Sequence, residues 1–248
     1  MTFGDLSYMK IVIKIGSSVL AGSNNNSPIN KKVLRNIVSQ AADLQKAGHA
    51  VIIVTSGAVA SCPRNYSKSL RAAVGQPRLI KLYSDNFDLH DIESCQLLFT
   101  YADLKGEGKQ YTSRLILEAL NEKVVPIINA NDSVNSEELD ALGKYADNDV
   151  LASQITLMTK ADLLFILLKE PGLVDFKNKK VVNIVSNFSE ALKLVRGKSK
   201  SGTGGMMSKI KVAKILKNKG IETRLIPGRT KNSIIRSIRN EIIGTKFE

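Results

Sequence analysis

The chain is poor in cysteine, histidine and aromatic residues, and each scarcity argues against a class of protein. Its 248 residues include two cysteines, Cys62 and Cys95, two histidines, His49 and His90, and no tryptophan. These spacings are not those of a zinc or iron–sulfur site, so we expect no metal bound by such residues and interpret both cysteines as reduced thiols. Aromatic residues make up 5% of the chain, which is too few for the base-stacking surfaces of proteins that bind single-stranded nucleic acids.

Long apolar runs are also missing. No segment approaches the roughly 20 apolar residues of a membrane-spanning helix, and the first ten residues lack the basic and then apolar order of a signal peptide. The net charge of +13 favours nucleic-acid binding, but the lysines are spread along the chain. A basic proteome or an anionic small substrate explains the charge equally well. We therefore expect a cytoplasmic protein with neither a membrane nor a nucleic-acid partner.

The sequence does contain a regular alternation of short β-branched runs and longer amphipathic segments. This pattern predicts strands at 10–15, 50–55, 95–100, 124–128, 163–168, 181–184 and 223–226. It predicts a helix capped by Asn30 and closed by Gly48, and further helices at 68–83, 112–122, 148–158 and 206–219. The segments 177–180 and 196–201 are predicted to be solvated loops. Such alternation is typical of an α/β protein, a three-layer α/β/α sandwich with a mostly parallel central sheet.

Polar clusters directly follow three of the predicted strands: Gly16-Ser-Ser18, Ser56-Gly57 and Asn129-Ala-Asn-Asp132. Ligands of doubly wound sheets collect beyond the carboxyl ends of the strands. We therefore expect the functional site at this edge of the sheet.

Lys14 lies inside the otherwise apolar first strand, two residues before Gly16. A charged side chain there needs a partner or an anion, because burying it alone is costly. In isolation it also fits a lysine of an edge strand that points to water. The small-residue turn that follows, with its free amides, favours a lysine that faces a phosphate.

Two predicted helices begin with residues suited to anion binding. Gly202-Thr-Gly-Gly-Met206 runs into the last long helix, whose first turn carries Lys209; the glycines and the helix N-terminus favour an anion. The segment matches neither the Walker A nor the dinucleotide-binding pattern, and an ordinary flexible loop is the alternative.

Asp147-Asn-Asp149 opens another helix. Asp147 or Asn148 can serve as a cap, which leaves Asp149 to bridge the ammonium groups of Lys14 and Lys209.

Six blocks, taken in order, resemble the glutamate 5-kinases of the amino acid kinase family. They are Ile13-Lys-Ile-Gly-Ser-Ser18, Val54-Thr-Ser-Gly-Ala58, Ala73-Val-Gly-Gln76, Ile128-Asn-Ala-Asn-Asp132, Asp147-Asn-Asp149 and Gly202-Thr-Gly-Gly-Met206 with Lys209. The resemblance runs from about Met9 to Gly244-Thr-Lys-Phe247. It implies a single amino acid kinase domain over residues 1–248, with an amino-acid-binding lobe at about 9–160 and a nucleotide-binding lobe at 161–248. The RNA-binding-like domain that many members add at the C-terminus is not expected.

The resemblance also implies an activity, the ATP-dependent phosphorylation of L-glutamate to L-glutamyl 5-phosphate in the first step of proline biosynthesis, with Mg²⁺. Lys14 and Lys209 would be catalytic, and Asp149 would orient them. The substrate would be held by Ser56, Gly57, Asp132 and Asn148. The nucleotide would be bound by Lys14, Gly16, Ser17, Leu168, Lys169, Thr203, Gly204, Gly205, Met206, Met207, Ser208 and Lys209. Glutamyl phosphate reductase is the implied pathway partner, and a homo-oligomer is expected.

The chain departs from the family pattern on both sides of the site. The loop after Gly57 is short and carries Cys62-Pro63, and Ala130 replaces the usual glutamate. These changes leave N-acetylglutamate, carbamate, aspartate, UMP and isopentenyl phosphate as alternative substrates. The usual Leu-Thr-Asp that ends the nucleotide-lobe strand reads Leu167-Leu-Lys169, which predicts weak recognition of the base and ribose. A catalytically weak, ligand-binding regulator is the alternative outside the kinases.

Overall fold

A computed structural model describes residues 7–24, 27–134, 148–195 and 205–248. Its strands are β1 (Lys10–Ile15), β2 (Ala21–Asn24), β3 (Ser27–Ile29), β4 (Ala50–Thr55), β5 (Ser94–Phe99), β6 (Val125–Ala130), β7 (Leu163–Leu168), β8 (Leu173–Asp175), β9 (Lys180–Val182), β10 (Ile184–Val185), β11 (Glu222–Pro227) and β12 (Thr245–Phe247). Its helices are α1 (Ser17–Leu20), α2 (Lys31–Lys46), α3 (Ala58–Ser61), α4 (Lys68–Asp88), α5 (Gly106–Asn121), α6 (Asn148–Thr159), α7 (Phe188–Val195), α8 (Met206–Lys217) and α9 (Ser233–Ile238).

Eight strands form the main sheet, in the order β10-β12-β11-β7-β1-β4-β6-β5. Neighbouring strands are parallel, except for the antiparallel pair of β11 and β12. β1 lies in the interior of the sheet, between β4 and β7. Its near-continuous apolar sequence follows from this position, because helices cover both faces of a parallel sheet. The predicted α/β sandwich with a mostly parallel sheet is confirmed.

The alternation of side chains along β1 decides what each of its residues meets. Ile11, Ile13 and Ile15 pack into an apolar cluster with residues of α2, α4 and α9. Val12 packs into a second cluster, on the opposite face, with residues of α5, α6, α7 and α8. Because successive strand residues point to opposite faces, Lys14 shares the face of Val12. The sequence of β1 therefore directs this lysine towards α6 and α8.

The predicted helices are present, and most of their ends agree with the prediction to within about two residues, but two ends differ by more. α4 continues to Asp88, and α5 begins at Gly106 rather than at residue 112. Two glycines near the start of α5 lower its helix propensity. Gly108, however, lies against the 3₁₀ turn at Ala102–Leu104, where a Cβ atom would be 2.4 Å from the Ala102 carbonyl oxygen. Close packing that only glycine allows therefore extends this helix beyond what propensity predicts.

The single strand predicted at 181–184 is wrong. β9 pairs with β8 in a separate antiparallel hairpin, whereas β10 joins the main sheet beside β12. Asn183 separates them, and its side-chain amide donates to the Gly244 carbonyl at 3.1 Å. Lys180, predicted to lie in a loop, begins β9. The other predicted loop, at 196–201, lies outside the described residues. Elements of two or three residues are too short to show a period in the sequence, and their pairing depends on distant partners.

The carboxyl ends of β1, β4, β6 and β7 lie at one edge of the sheet, because these strands are parallel. α1 and α3 begin within two or three residues of the ends of β1 and β4. This edge is where the predicted polar clusters come together. None of the helices in the described ranges is long and apolar enough to cross a membrane.

Candidate active site

Three charged side chains from three elements meet near the carboxyl end of β1. The Nζ atom of Lys14 lies 2.5 Å from Oδ1 of Asp149, and the Nζ atom of Lys209 lies 2.8 Å from Oδ2 of the same carboxylate. Asp149 is fully buried, while Lys14 and Lys209 are only 6% and 9% exposed. The bridge that the sequence predicted is thus present in the structure.

Each of the three residues is placed by its own element. Lys14 projects from β1 on the face covered by α6 and α8, Asp149 is in the first turn of α6, and Lys209 is in the first turn of α8. An acidic residue in a first helical turn is favoured by the helix dipole. The buried faces of α6 and α8 pack in one apolar cluster, and this packing brings the two helix starts together.

The two lysines determine the charge of Asp149. Burial disfavours the ionised form and would by itself raise the pKa of this carboxyl. The charges of Lys14 and Lys209, together with their hydrogen bonds, outweigh burial and hold the pKa below its usual value. The carboxylate is therefore ionised at neutral pH. In the described part of the chain, two ammonium groups thus face one carboxylate in a nearly dry site, and this ratio of charges favours an anion.

A turn of small residues lies beside this cluster. The Gly16 carbonyl accepts a hydrogen bond from the Val19 amide at 3.0 Å and so starts the single turn of α1. A Cβ atom on Gly16 would lie 3.8 Å from Nζ of Lys14. Ser17, the next residue, is exposed. The predicted phosphate-binding residues Lys14, Gly16 and Ser17 are therefore neighbours in space.

A second group of polar side chains joins α6 to the ends of β4 and β6. The side-chain nitrogen Nδ2 of Asn148 donates to Oγ of Ser56 at 2.6 Å and to Oδ1 of Asn129 at 3.3 Å. Asn129 donates in turn to Oε1 of Gln76 in α4, at 2.9 Å. Since Asn148 immediately precedes Asp149, this network also fixes the start of α6 and the position of the carboxylate.

Sequence reasoning missed Asn129 and Gln76 as individual members of the site. Both side chains are buried, and buried amides need hydrogen-bond partners. A signal was present for each: Asn129 is a polar residue near the end of an apolar strand, and Gln76 lies on the buried face of α4. The segments that carry them belong to the family blocks, but no spacing rule pairs a helix residue with a strand residue 53 positions later.

The remaining predicted substrate residues lie around this network. Gly57 has a φ of 112°, in the left-handed region that favours glycine, and it caps α3. α3 lies directly on α4, since a Cβ atom on Gly75 would be 1.8 Å from the Ala58 carbonyl oxygen. Asp132 lies in the turn after β6 and is half-buried. Its contact with an amino acid substrate stays a prediction.

Besides Lys14, Gly16 and Ser17, the predicted nucleotide residues lie at two further places. Gly205 caps α8, and Met206, Met207 and Ser208 form its half-buried first turn. Thr203 and Gly204, like Asp147, lie outside the described residues. At the end of β7, Leu168 is buried in the apolar cluster beside α8, whereas Lys169 is exposed. A polar side-chain contact between this strand end and a nucleoside would therefore come from Lys169.

The described ranges contain no group of three His, Cys, Asp or Glu side chains placed to hold a metal ion. Both oxygens of Asp149 already face lysines. Mg²⁺ usually reaches kinases together with the phosphates of the nucleotide and keeps several waters.

Comparison with protein families matches residues 9–227 to the amino acid kinase family. The chain belongs to the amino acid kinase family. Curated relatives include the glutamate 5-kinases of Caldanaerobacter subterraneus subsp. tengcongensis, Shewanella halifaxensis and Pasteurella multocida, which are 36%, 34% and 34% identical to it. The alignments cover 96%, 100% and 96% of this chain and 68%, 70% and 68% of the relatives.

A solved structure shows that this amino acid kinase shares its fold with a protein of another name. N-acetylglutamate synthase from Neisseria gonorrhoeae, complexed with coenzyme A and L-arginine, superposes with a TM-score of 0.68 at 12% identity. The match covers 96% of this chain and 61% of that protein, so the chain spans less than two thirds of its length. Identity this low supports the fold alone.

Proposed function

We propose that this amino acid kinase transfers the γ-phosphoryl group of ATP to the side-chain carboxylate of L-glutamate, giving L-glutamyl 5-phosphate, the first step of proline biosynthesis. The observation that carries the proposal is the buried bridge of Lys14 and Lys209 by Asp149 beside the Gly16 turn. Identities of 33–36% to glutamate 5-kinases over nearly the whole chain support the choice of substrate.

The proposed reaction needs charge neutralisation rather than a general base. The glutamate side chain has an ordinary pKa of about 4.3 and is already ionised at neutral pH. One of its oxygens forms a bond to the γ-phosphorus while the bond to the β–γ bridging oxygen breaks, and ADP leaves with that electron pair. Lys14 and Lys209 stabilise the charge on the transferring group, and Asp149 holds both ammonium groups in place beforehand.

The substrate site of this proposal is formed by Ser56, Gly57, Asp132 and Asn148. Asp132 supplies a carboxylate for the ammonium group of the amino acid, and Asn148 and Ser56 offer hydrogen-bonding groups at the end of β4. Because Asn148 and Asp149 are consecutive, the acceptor and the phosphoryl-binding lysines are held by the same helix start. This placement suits direct transfer between two bound substrates.

The nucleotide side of the proposal comprises Lys14, Gly16 and Ser17 together with the residues at the end of β7 and the start of α8. We assign residues 9–160 to an amino-acid-binding lobe and residues 161–248 to a nucleotide-binding lobe. Mg²⁺ would come bound to the phosphates of ATP and would supply further neutralisation of their charge beside Lys14 and Lys209. In the described residues, the lysine pair of the site is the cationic group best placed for the γ-phosphate.

The proposed product sets the chemistry of the next step. An acyl phosphate is a mixed anhydride that water hydrolyses readily, so an enzyme that consumes it promptly is required. We propose glutamyl phosphate reductase as that pathway partner, a homo-oligomeric kinase, and a cytoplasmic reaction in keeping with the two free thiols, Cys62 and Cys95.

We expect ADP release that depends on glutamate, with the acyl phosphate trapped by hydroxylamine as the hydroxamate. A coupled assay should compare glutamate with N-acetylglutamate, aspartate, carbamate, UMP and isopentenyl phosphate at equal concentrations. Activity on another acceptor, with no stimulation by glutamate, would contradict glutamate as the substrate and identify that acceptor instead. If calorimetry detects MgATP binding but no acceptor is phosphorylated, the result would favour a catalytically weak, ligand-binding regulator.

We expect weak discrimination between ATP, GTP and CTP, because Lys169 offers a donor where the family pattern has an acceptor. Losing one or two hydrogen bonds costs on the order of 1–3 kcal/mol, or roughly 5- to 150-fold in affinity. Lys169→Asp should lower the KM for ATP relative to the KM values for GTP and CTP. Leu168→Thr is the poorer test, because this side chain is buried in the apolar cluster.

The exposed Lys177 provides a control of the same type, as Lys177→Asp changes the charge of the same lobe. An unaltered KM for ATP in Lys169→Asp, together with ATP-exclusive use by the wild type, would show that other residues recognise the base.

A further inference from the structure

Arg229 is outside the residues proposed to contact substrate, yet its guanidinium group makes three hydrogen bonds to α1 and to Ala21, the residue that follows α1. Its Nε atom donates to the Val19 carbonyl at 3.1 Å. Its Nη2 atom donates to the carbonyls of Ser18 at 2.9 Å and Ala21 at 2.8 Å. One side chain of the C-terminal part thus binds the segment that directly follows the Gly16 turn.

α1 needs these contacts because it is a single turn of four residues. Helices this short are not stable alone, and the carbonyls of their last turn have no partner within the helix. The Leu20 carbonyl accepts from the Asn30 amide at 2.7 Å. The other three carbonyls between Ser18 and Ala21 are bonded to Arg229. Three of the four carbonyls between Ser18 and Ala21 therefore depend on this one guanidinium group for a partner.

Gly228 allows Arg229 to reach α1. A Cβ atom at this position would lie 2.7 Å from Cγ1 of Val19 and 2.9 Å from Cβ of Leu167, so a larger residue would push the segment away. The Gly228 amide donates to the Leu168 carbonyl at 2.8 Å. The segment is thus wedged between the end of β7, next to Lys169, and α1. It connects the end of β7 with α1, beside two of the three places where the proposed nucleotide residues lie.

We infer that Arg229 is a positioning residue that holds α1, and with it the Gly16-Ser17 turn, in place for the phosphates of the nucleotide. The inference rests on the proposed function for the identity of the ligand. Without the guanidinium group, Lys14, Lys209 and Asp149 keep their mutual contacts, but the backbone of α1 loses three of the hydrogen bonds that hold it. The defect should therefore appear in the use of ATP and leave the amino acid site unchanged.

The test compares Arg229→Ala with Arg229→Lys, and with Arg236→Ala as a matched control. Arg236 is an exposed arginine of α9 whose ion pair with Glu241 lies on the surface. The measurements are the KM for ATP, the KM for glutamate, kcat, and hydrogen exchange of the amides of residues 16–22 without ligand. Arg229→Ala should raise the KM for ATP roughly tenfold, as expected from losing hydrogen bonds of a charged group. It should also speed exchange of the segment.

Arg229→Lys should recover part of both effects, because an ammonium group can still donate to one or two of the carbonyls. Arg236→Ala should show neither effect. Unchanged exchange at 16–22 in Arg229→Ala, or an equal rise of both KM values, would overturn the inference. Hydrogen exchange requires no substrate, so it tests the anchoring of α1 even where the wild type shows no glutamate-dependent ADP release. The absence of glutamate-dependent ADP release would contradict the proposed function, but it would not contradict the anchoring of α1 by Arg229.

Discussion

Lys14→Ala and Lys209→Ala should each lower kcat by about 10²–10³-fold, the usual effect of removing a preorganised group that stabilises transition-state charge. Neither variant leaves Asp149 unpaired, because the other ammonium group remains within 2.8 Å of the carboxylate. We therefore expect the loss of rate to exceed any loss of stability. The measurements are kcat in the ADP-release assay and the thermal midpoint of the same preparations.

A matched control lies two residues further along α8. Lys211 is exposed and carries the same charge on the same helix, so Lys211→Ala should keep the wild-type kcat. Substituting arginine at 209 tests whether charge alone is sufficient, because the planar guanidinium group does not fit the space of an ammonium group. A Lys14→Ala or Lys209→Ala variant with the kcat of the wild type would show that the lysine is not catalytic.

Asp149→Asn should be the most destabilising of the conservative substitutions in this site. It removes the carboxylate charge that two nearly buried ammonium groups share. Breaking a buried ion pair by removing one partner costs roughly 3–5 kcal/mol. The kcat should fall as well, because the carboxylate that positions both ammonium groups is gone. The free energy of unfolding in urea and kcat, measured on the same sample, check both expectations.

The pH dependence gives this prediction a second readout. The pKa of Asp149 is lowered in the folded protein, so its contribution to stability is fully present above the ordinary carboxyl pKa of about 3.9. That contribution is lost as the pH falls through the lower, folded-state pKa. The difference in unfolding free energy between wild type and Asp149→Asn should thus be constant near neutral pH and shrink in acid.

Asp85→Asn is the control, since the ion pair of Asp85 with Lys81 is exposed on α4, and such pairs contribute about 0–1 kcal/mol. A difference between wild type and Asp149→Asn that stays constant down to strongly acidic pH would mean that the carboxylate does not stabilise the fold through its charge. Equal stability and equal kcat would contradict the bridging role altogether.

The long, strongly patterned elements could be predicted because their own residues carry the information. β1, β4 and β7 are runs of buried β-branched and leucine residues, and α2 has an Asn30 cap whose side chain accepts the Val33 amide. The short pieces β8, β9, β10 and β12 could not be predicted in this way. Each has only two or three residues and is a strand because of a partner elsewhere in the chain.

The charged part of the site was predictable for a related reason. A lysine in an apolar strand and an acidic residue at a helix start are each costly to bury alone, so their presence in the sequence implies a partner. The amide network of Asn148, Asn129 and Gln76 was harder to predict from the sequence. Neutral amides are common on surfaces, and whether one is buried depends on which helix covers it.

Local sequence is enough to show that β1 is a buried strand with a lysine on one face, that Asp149 lies at a helix start, and that small residues follow the strand ends. These properties depend on the period and composition of neighbouring residues. The folded structure is needed to show that Lys14 and Lys209 contact different oxygens of the Asp149 carboxylate, and that Arg229 bonds to α1 from about 210 residues away. Such contacts depend on strand order and helix packing, which bring together residues whose local sequences carry no sign of each other.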